Sequence, residues 1–265
     1  MAAPAVPDSP VILISDLHLQ ESRPDITRAF VDFVAAVPAG CRRFFILGDL
    51  FELWIGDDAE SALADEVATS LQSLAARGVK IHLMHGNRDF LIGDDYAARC
   101  GGELISEPFE LEVDGAHWLL LHGDALCIDD TGYMEFRRMV RNPAWQHKFL
   151  SQPLAERQAW ADRAREQSQA ATAGKPAEIM DVNHGAVLDL IRDSGRHRIL
   201  HGHTHRPAVH ELPEAGPRPD EPALRVVLGD WDRQGWYAAI DGARFTLRNF
   251  PLPGEACLAP TDGHL

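Results

Sequence analysis

The chain of 265 residues is long enough to form one large domain with a sizeable core, and its 45% hydrophobic and 25% charged residues are typical of globular proteins. These values exclude a wholly disordered chain and a fibrous repeat. The formal net charge of -15 disfavours long contact with a nucleic acid backbone, which proteins neutralise with many Lys and Arg side chains.

The first third of the chain alternates short apolar runs with helical segments. Apolar runs predict strands at residues 11–15, 44–47 and 80–84. Apolar side chains at helical spacing predict helices at residues 25–36 and 61–76. Alternating strands and helices indicate an α/β fold in which helices cover the sheet.

After Gly101 the pattern changes to an antiparallel one. Two apolar runs flank an Asp-Gly turn and predict a β-hairpin of residues 109–113 and 117–121. The last third of the chain predicts a helix near residues 180–192, strands at 198–201, 225–228, 235–240 and 245–250, and a loop at 213–222.

Residues 130–171 lack strand-like runs and contain Pro143 and Pro153, which predicts two or three helices inserted into the α/β framework. We expect a single domain over residues 1–265 with a helical lid insertion at residues 130–175. No internal repeat is present in the sequence.

The cysteine pattern and the first residues bear on location. No CxxC pair occurs, which argues against a zinc ribbon, and the spacing argues against a disulfide framework. The first apolar run is too short to span a bilayer and follows no basic segment, so we expect neither a signal peptide nor a membrane helix. We therefore expect a cytoplasmic protein. The cysteines are Cys41, Cys100, Cys127 and Cys257.

Polar side chains with metal-ligand chemistry follow five of the apolar runs. Because ligand sites of open α/β sheets form beyond the carboxyl ends of the strands, we expect these side chains to meet in one crevice. The seven candidate ligands are Asp16, His18, Asp49, Asn87, His122, His203 and His205.

Their chemistry indicates a pair of metal ions. Carboxylate oxygen, amide oxygen and imidazole nitrogen together suit Mn²⁺, Fe²⁺ or Zn²⁺. Two ions about 3.5–4 Å apart require a shared ligand, and a carboxylate can bridge them, so Asp49 is the bridging candidate. Such a pair activates water and stabilises the charge of a phosphoryl group during displacement. The residues therefore predict a two-metal phosphoesterase.

Each ligand taken alone has a simpler explanation. An aspartate at a strand end often caps a helix, and a buried histidine is often a core residue. The convergence of seven such residues favours the metal site. We expect His201 to support its loop, and we expect structural or surface roles for His82, His117, His147, His210 and His264.

Five strings that occur in order from residue 15 to residue 207 resemble the calcineurin-like metallophosphoesterases: SDLHL, GDLFELWIGD, HGNRDF, LHGD and HGHTHRP. The resemblance implies a four-layer α/β/β/α sandwich of two mixed sheets. It also implies two divalent ions, for which we expect Mn²⁺. One ion would be held by Asp16, His18, Asp49 and His205, and the other by Asp49, Asn87, His122 and His203.

Longer strings, including FELWIGDD, HGNRDFLIG and HGDALCIDD, resemble the branch of this family that acts in lipid A biosynthesis. That branch hydrolyses a lipid-linked UDP-sugar, UDP-2,3-diacylglucosamine, and releases UMP. The resemblance implies substrate contacts by Asn87, Arg88, Asp130, Ser168, Thr172, Lys175 and His203. We expect catalytic roles for Asp49, Asn87 and Arg88, and a monomer that works peripherally at the anionic, cytoplasmic surface of the inner membrane.

One position departs from the general family pattern. Many members have a histidine after the asparagine of the third string, where this chain has Arg88. A phosphate monoester, with a second pKa of about 6, can leave without strong proton donation. We therefore interpret Arg88 as a clamp on a charged diphosphate. The alternative is a surface arginine paired with Asp89.

The predicted lid combines basic and apolar side chains. Between residues 133 and 175, eight basic residues stand against four acidic ones, so this segment is +4 and the remainder is -19. Apolar residues can line a groove for acyl chains while basic residues meet phosphate and anionic headgroups. The alternative is a helical hairpin that packs its apolar stripe on the core. The apolar residues are Phe136, Met139, Trp145, Phe149, Leu150, Leu154 and Trp160, and the basic ones are Arg137, Arg138, Arg141, Lys148, Arg157, Arg163, Arg165 and Lys175.

Two other functions stay open at this point. The first is a two-metal phosphodiesterase or nuclease that acts on another phosphoester, against which the acidic charge and Arg88 count. The second is a metal-free binding scaffold on the same fold, against which the complete ligand set counts.

Overall fold

A computed structural model of the chain describes residues 10–172, 181–218 and 220–252. The strands are β1 (Val11–Ile14), β2 (Arg43–Leu47), β3 (Lys80–Met84), β4 (Gly102–Ile105), β5 (Phe109–Val113), β6 (Ala116–Leu120), β7 (Arg198–His201), β8 (Ala208–Leu212), β9 (Ala223–Val227), β10 (Gln234–Asp241) and β11 (Arg244–Pro251). The helices are α1 (Pro24–Ala36), α2 (Ala62–Ala76), α3 (Asp94–Arg99), α4 (Thr131–Val140), α5 (Pro143–Leu150), α6 (Leu154–Thr172) and α7 (His184–Ser194).

The strands form two mixed sheets, with the orders β11-β10-β1-β2-β3-β4 and β5-β6-β7-β9-β8. In the first sheet β1 to β4 are parallel, and β10 and β11 join them antiparallel. In the second sheet β6, β7 and β9 are parallel, and β5 and β8 are antiparallel edge strands. The predicted α/β class with two mixed sheets is confirmed.

Alternating side chains of the strands divide the core into layers, because successive residues of a strand point to opposite faces. In β1, Leu13 packs between the two sheets, whereas Ile12 packs with the residues of α1 and α2. In β6, Leu120 faces the first sheet and Leu119 packs against α7. The order of layers is therefore α/β/β/α, as the family resemblance implies.

Capping residues set where the helices begin. The Ser61 hydroxyl accepts the Ala64 N–H, so α2 starts at residue 62. The helix predicted near residues 180–192 begins later, since the Asn183 side chain accepts the Ala186 N–H at 3.0 Å. It ends where Gly195 adopts the left-handed region with φ 65.

The sequence pattern does not predict α3, β4 and β8. Helix α3 has six residues, fewer than two turns, so no apolar period can develop. Strands β4 and β8 lie at sheet edges and are half-exposed, so they lack the continuous apolar runs of the buried strands. Pairing with β8 also makes β9 begin at Ala223, before the predicted start at residue 225.

The lid consists of α4, α5 and α6. Asn142 caps α5 and Pro143 occupies its first turn, where the missing N–H has no helical partner to lose. Aromatic rings hold the helices together: Phe136 stacks on Trp160 with centroids 6.2 Å apart, and other lid rings pack around this pair. None of the helices in the described parts of the chain has the length and hydropathy that crossing a membrane requires.

Candidate metal centre

The seven predicted ligands all lie in loops at the carboxyl ends of strands. Asp16 and His18 follow β1, Asp49 follows β2, and Asn87 comes after β3. His122 follows β6, and the last two histidines follow β7. Because β1, β2 and β3 are parallel in one sheet and β6 and β7 are parallel in the other, these loops meet at one edge of the sandwich.

Three ligands form the first group. His18 Nε2 and His205 Nε2 lie 3.2 Å apart, and His205 Nε2 lies 3.4 Å from Asp16 Oδ1. Asp16 is fully buried, and its carboxylate accepts the backbone N–H of His203 at 2.9 Å. Ligand atoms of this group are close enough to hold one ion.

Three further ligands form the second group. Asn87 Oδ1 lies 2.9 Å from His122 Nε2 and 2.8 Å from His203 Nδ1. The ring of His122 is fully buried, and its Nδ1 lies 2.9 Å from the carbonyl oxygen of Leu47. An amide oxygen and two imidazole nitrogens thus point to a common centre.

Asp49 stands between the two groups. Its Oδ2 lies 3.7 Å from His18 Nε2 and 3.8 Å from His122 Nε2, while its Oδ1 accepts the Arg88 N–H at 2.8 Å. One oxygen of a buried carboxylate therefore faces both groups. This is the position that a ligand shared by two ions requires.

The nitrogen and oxygen atoms of the second group are arranged as they would be around a bound cation. A carbonyl only accepts hydrogen bonds, so the contact with Leu47 places the proton of a neutral His122 on Nδ1 and leaves a lone pair on Nε2. That lone pair faces the Asn87 oxygen, which is also an acceptor. A positive charge between these atoms removes the repulsion, and carboxylate, amide and imidazole donors suit a divalent metal ion.

The pKa values of the histidine ligands also indicate that the buried carboxylates favour positive charge at this site. Burial lowers the pKa of His122, but the carboxylates of Asp49 and Asp124 outweigh it and raise the pKa to about 9. Burial likewise lowers the pKa of His205, and the Asp16 carboxylate raises it to about 8. In His203, burial and the charge of His122 together lower the pKa to about 4. The buried carboxylates thus favour positive charge at His122 and His205.

The backbone of the ligand loops is strained. Left-handed φ angles occur at Asp16 (55), His18 (48), Asp49 (51), His203 (67) and His205 (54). Such a conformation costs an L-residue about 1–2 kcal/mol. Among the non-glycine residues described, one other shares this conformation, Asp114 in the β5–β6 turn, so the strain is concentrated at the predicted ligands.

Glycines allow the loops to approach each other. A Cβ on Gly86 would overlap the backbone nitrogen and Oδ1 of Asp49, and a Cβ on Gly202 would overlap Asp16 Oδ2. Replacing Gly86 with alanine is expected to displace Asp49, destabilise the protein by about 1–3 kcal/mol and lower the content of bound divalent metal. Thermal unfolding and metal analysis check this, with Gly132→Ala as the control because the nearest atom to its Cβ is 3.8 Å away. Unchanged melting and metal content in Gly86→Ala would contradict the expectation.

Another buried carboxylate, outside the seven predicted ligands, joins two ligand loops. Asp89 is fully buried, and it accepts the N–H groups of Leu50 at 2.7 Å and Gly86 at 2.8 Å. The alternative that Arg88 pairs with Asp89 is wrong, because this carboxylate is turned towards backbone donors. Its place inside the string HGNRDF is the signal that could have identified it.

Two more carboxylates attach the lid to the loop after β6. Glu107 accepts the backbone N–H of His122 at 3.0 Å and also binds Arg137. Asp124, which is fully buried, accepts Arg137 Nε at 2.9 Å and the hydroxyl of Tyr133. Helix α4 is therefore connected to the second ligand group by hydrogen bonds and ion pairs.

A cavity of about 370 Å³ lies between the lid and the loops after β2 and β3. Four of the predicted substrate contacts line it: Asn87, Arg88, Asp130 and Ser168. Its apolar walls include the side chains of Leu53, Trp54, Phe90, Phe136, Phe149 and Trp160. The cavity therefore joins an apolar chamber to the edge of the metal centre.

The other predicted substrate contacts do not line this cavity in the described residues. His203 belongs to the second ligand group. Lys175 and the side chain of Thr172 lie outside the described residues. Asp130 caps α4, since its carboxylate accepts the Tyr133 N–H.

The lid has an inner and an outer set of apolar residues. Phe149 belongs to the buried cluster on the helix side of the first sheet, so packing on the core is the correct interpretation for the inner set. Met139, Leu150 and Leu154 are instead exposed by 43%, 39% and 40%. The inner residues Phe136, Phe149 and Trp160 also line the cavity, whereas Met139, Leu150 and Leu154 do not.

The basic residues of the lid are also divided. The expectation that they meet phosphate and headgroups is wrong for Arg157, which is 2% exposed and binds Asp58 and the carbonyl oxygen of Ile55. Burying a guanidinium is costly unless it is paired, and these partners satisfy it. Arg137 is likewise paired within the protein. Arg138, Lys148 and Arg163 remain exposed.

Comparison with known proteins gives the family. Calcineurin-like phosphoesterases match residues 9–207. A UDP-2,3-diacylglucosamine hydrolase of Ectopseudomonas mendocina is 47% identical over 242 residues, which cover 91% of this chain and 98% of that protein. Proteins of the same name from Cellvibrio japonicus and Hahella chejuensis are 48% and 46% identical, over 91% of this chain and 99% and 97% of their own lengths. The chain therefore belongs to the calcineurin-like phosphoesterase family, whose members use divalent metal ions.

Proposed function

We propose that the protein hydrolyses the diphosphate bond of UDP-2,3-diacylglucosamine and releases UMP and 2,3-diacylglucosamine 1-phosphate. The observation that carries this proposal is the apolar cavity that opens onto the metal centre at Asn87 and Arg88. A lipid-linked diphosphate needs both features, an apolar chamber for acyl chains and a polar site for phosphate. The names of the relatives that share nearly half of their residues with this chain support the same substrate.

We propose two Mn²⁺ ions as the metals, one held by Asp16, His18, Asp49 and His205 and the other by Asp49, Asn87, His122 and His203. The oxygen and nitrogen donors fit this metal. When bound, such a pair supplies an activated water and stabilises charge on the phosphoryl oxygens. The protein contributes the fixed positions of the ligands, which the backbone contacts of Asp16 and the orientation of His122 support.

Arg88 serves as the clamp on the diphosphate. In the described residues no carboxylate lies within ion-pair distance of its guanidinium, although the side chain lines the cavity next to Asn87. A half-buried, unpaired guanidinium is free to hold phosphate oxygens through two parallel hydrogen bonds. Because a phosphate monoester is a good leaving group, charge stabilisation by Arg88 can replace a general acid.

The aromatic walls of the cavity would receive the acyl chains. Phe136, Phe149 and Trp160 come from three different lid helices and meet above the loop of Leu53 and Trp54. A volume of about 370 Å³ lies within the range of ligand pockets, roughly 300–1,000 Å³. The rings are already packed against one another, so the chamber exists before the substrate enters.

A product assay tests the proposal. With Mn²⁺ present, the protein is expected to convert the diacylated UDP-sugar to UMP, and in ¹⁸O-labelled water the label should appear in UMP because water attacks the phosphorus next to uridine. UDP-N-acetylglucosamine, which lacks the two acyl chains, is the matched control. Hydrolysis of single-stranded DNA or a cyclic nucleotide without release of UMP would favour the phosphodiesterase alternative. Failure to bind metal would favour the scaffold.

We further propose that the protein acts as a monomer at the anionic cytoplasmic surface of the inner membrane. The exposed side chains of Met139, Leu150 and Leu154 stand on the same insertion as the exposed Arg138 and Lys148. Near an anionic surface each basic residue contributes about 1 kcal/mol.

Vesicle sedimentation is expected to show binding to anionic bilayers that weakens with added salt. Replacing Met139, Leu150 and Leu154 together with serine should abolish this binding without changing the metal content. Zwitterionic vesicles serve as the control. Wild-type binding by the triple variant would show that the lid is not the membrane contact.

A further inference from the structure

Glu52 connects a predicted metal ligand to the lid. One carboxylate oxygen, Oε2, lies 2.9 Å from His18 Nδ1, and the other, Oε1, lies 3.2 Å from the guanidinium of Arg165 on α6. The Glu52 side chain is only 13% exposed. Glu52 is neither a predicted metal ligand nor a predicted substrate contact. Its carboxylate nevertheless contacts both His18 of the metal centre and Arg165 of the lid.

We infer that Glu52 is a positioning residue that fixes the orientation of His18 and couples the lid helix α6, through Arg165, to the ion that His18 would hold. The inference rests on the proposed metal centre, and it does not depend on the identity of the substrate.

Backbone hydrogen bonds place Glu52 beside His18. Leu19 donates its N–H to the carbonyl of Leu50 at 2.9 Å, and Glu52 donates its N–H to the carbonyl of Leu19 at 3.1 Å. The loops after β1 and β2 are therefore paired like two short parallel strands at this point. The backbone of Glu52 is therefore held beside His18 by the two ligand loops themselves.

The contact with Glu52 determines which nitrogen of His18 is available. An ionised carboxylate only accepts hydrogen bonds, so the proton of a neutral His18 ring lies on Nδ1 and the lone pair on Nε2. Nε2 is the atom that faces Asp49 and His205. A carboxylate behind a metal-binding histidine fixes the ring and raises its basicity.

The orientation of the His18 ring depends on the Glu52 side chain, whereas the orientation of the His122 ring depends on no side chain in the same way. The ring of His122 is oriented by a backbone carbonyl, which side-chain substitution cannot remove. In the part of the chain that the structure describes, His18 is the predicted histidine ligand with a carboxylate at hydrogen-bond distance from its second nitrogen. The first ion should therefore be more sensitive than the second to changes around Glu52.

The other end of the contact lies on the lid. Arg165 contacts Glu52 from α6. Nearer the start of the same helix, Arg157 binds Asp58 and the carbonyl oxygen of Ile55. Helix α6 thus rests on the loop of residues 52–58 through two arginines. Since Arg165 also lines the cavity, a displacement of α6 changes both the cavity and the charge next to Glu52.

Titration of metal-free protein with Mn²⁺, followed by calorimetry and electron paramagnetic resonance, tests the inference without any substrate. The wild type is expected to bind two ions. In Glu52→Gln, one of the two affinities should fall by about 10–100-fold, the usual effect of removing such a partner, and the other should stay unchanged. Arg165→Ala should weaken the same site by less. Arg163→Ala, on an exposed turn of the same helix, is the matched control and should leave both affinities unchanged.

A double variant tests the coupling. If Arg165 acts through Glu52, the variant with both Glu52→Gln and Arg165→Ala should bind Mn²⁺ no more weakly than Glu52→Gln alone. Losses that add in the double variant would overturn the route through Glu52, and two wild-type affinities in Glu52→Gln would overturn the inference as a whole. Glu52→Asp keeps the negative charge and should recover part of the affinity; an aspartate variant no better than glutamine contradicts the requirement for a carboxylate.

The result can be separated from the proposed function. Normal Mn²⁺ titration behaviour in all variants, together with UMP release, would leave the hydrolase standing without the coupling. The expected pattern of affinities without UMP release would keep Glu52 as a positioning residue of a different phosphoesterase.

Discussion

Replacement of Asp49 with alanine is expected to prevent binding of both metal ions and to lower turnover by about a thousandfold or more, since one lost donor at such a site already costs about 10²–10³. The reason is that Asp49 Oδ2 faces His18 on one side and His122 on the other, so both ligand groups lose an atom. His18→Ala removes an atom from one group. Its loss of activity and of metal should therefore be smaller, with about one ion per chain retained.

The measurement is metal content by elemental analysis, followed by the rate of UMP release. Asp114→Ala is the matched control, because Asp114 is an exposed aspartate with the same left-handed backbone in a distant turn. It reports the cost of placing alanine in that conformation. If Asp49→Ala and His18→Ala retain the same number of ions, Asp49 does not bridge.

Arg88→Ala is expected to lower turnover by about 10²–10³ while both metal ions stay bound, because a charged donor aimed at the reacting phosphate is worth that much. The metal content should not change, since the main-chain N–H of residue 88, which alanine keeps, makes the contact with Asp49. Arg88→Lys should fall between the wild type and alanine, because lysine keeps the charge but not the planar fork.

Arg192→Ala, at an exposed position on α7, is the control for loss of a positive charge. Steady-state kinetics and metal analysis of the same preparations make the comparison. Loss of metal in Arg88→Ala would refute the clamp and assign the side chain to the ligand loops. A change in KM with unchanged kcat would mean that Arg88 binds the substrate and the transition state equally strongly.

Much of the candidate metal centre could be predicted, because each ligand follows an apolar run that is visible in the sequence. The carboxyl ends of parallel strands meet at one edge of a sheet, so the side chains that follow these strands lie close together. Strands β3 and β7 have the predicted bounds, and the residues after them lie where the rule places them. The structure brings all seven side chains together, including Asn87 and His203, whose sequence positions are far apart.

The supporting residues could not be predicted, because their roles depend on partners that only the fold reveals. In the sequence Asp89 is a polar neighbour of Arg88, but in the structure it is buried among backbone N–H groups of two loops. The sequence around Arg157 predicts a surface charge on a basic helix, but in the structure the side chain is buried against the loop that carries Asp58. No period or spacing in the sequence distinguishes these residues from exposed ones of the same type.

The order of strands in the first sheet has a consequence for how the protein acquires its metals. Strand β1, which positions two ligands, pairs on one side with β2 and on the other with β10, from much later in the chain. The ribosome therefore releases the first ligands long before their sheet can be completed. Since the candidate centre also needs His203 and His205 from the second sheet, we expect metal loading to be a late event that follows assembly of both sheets.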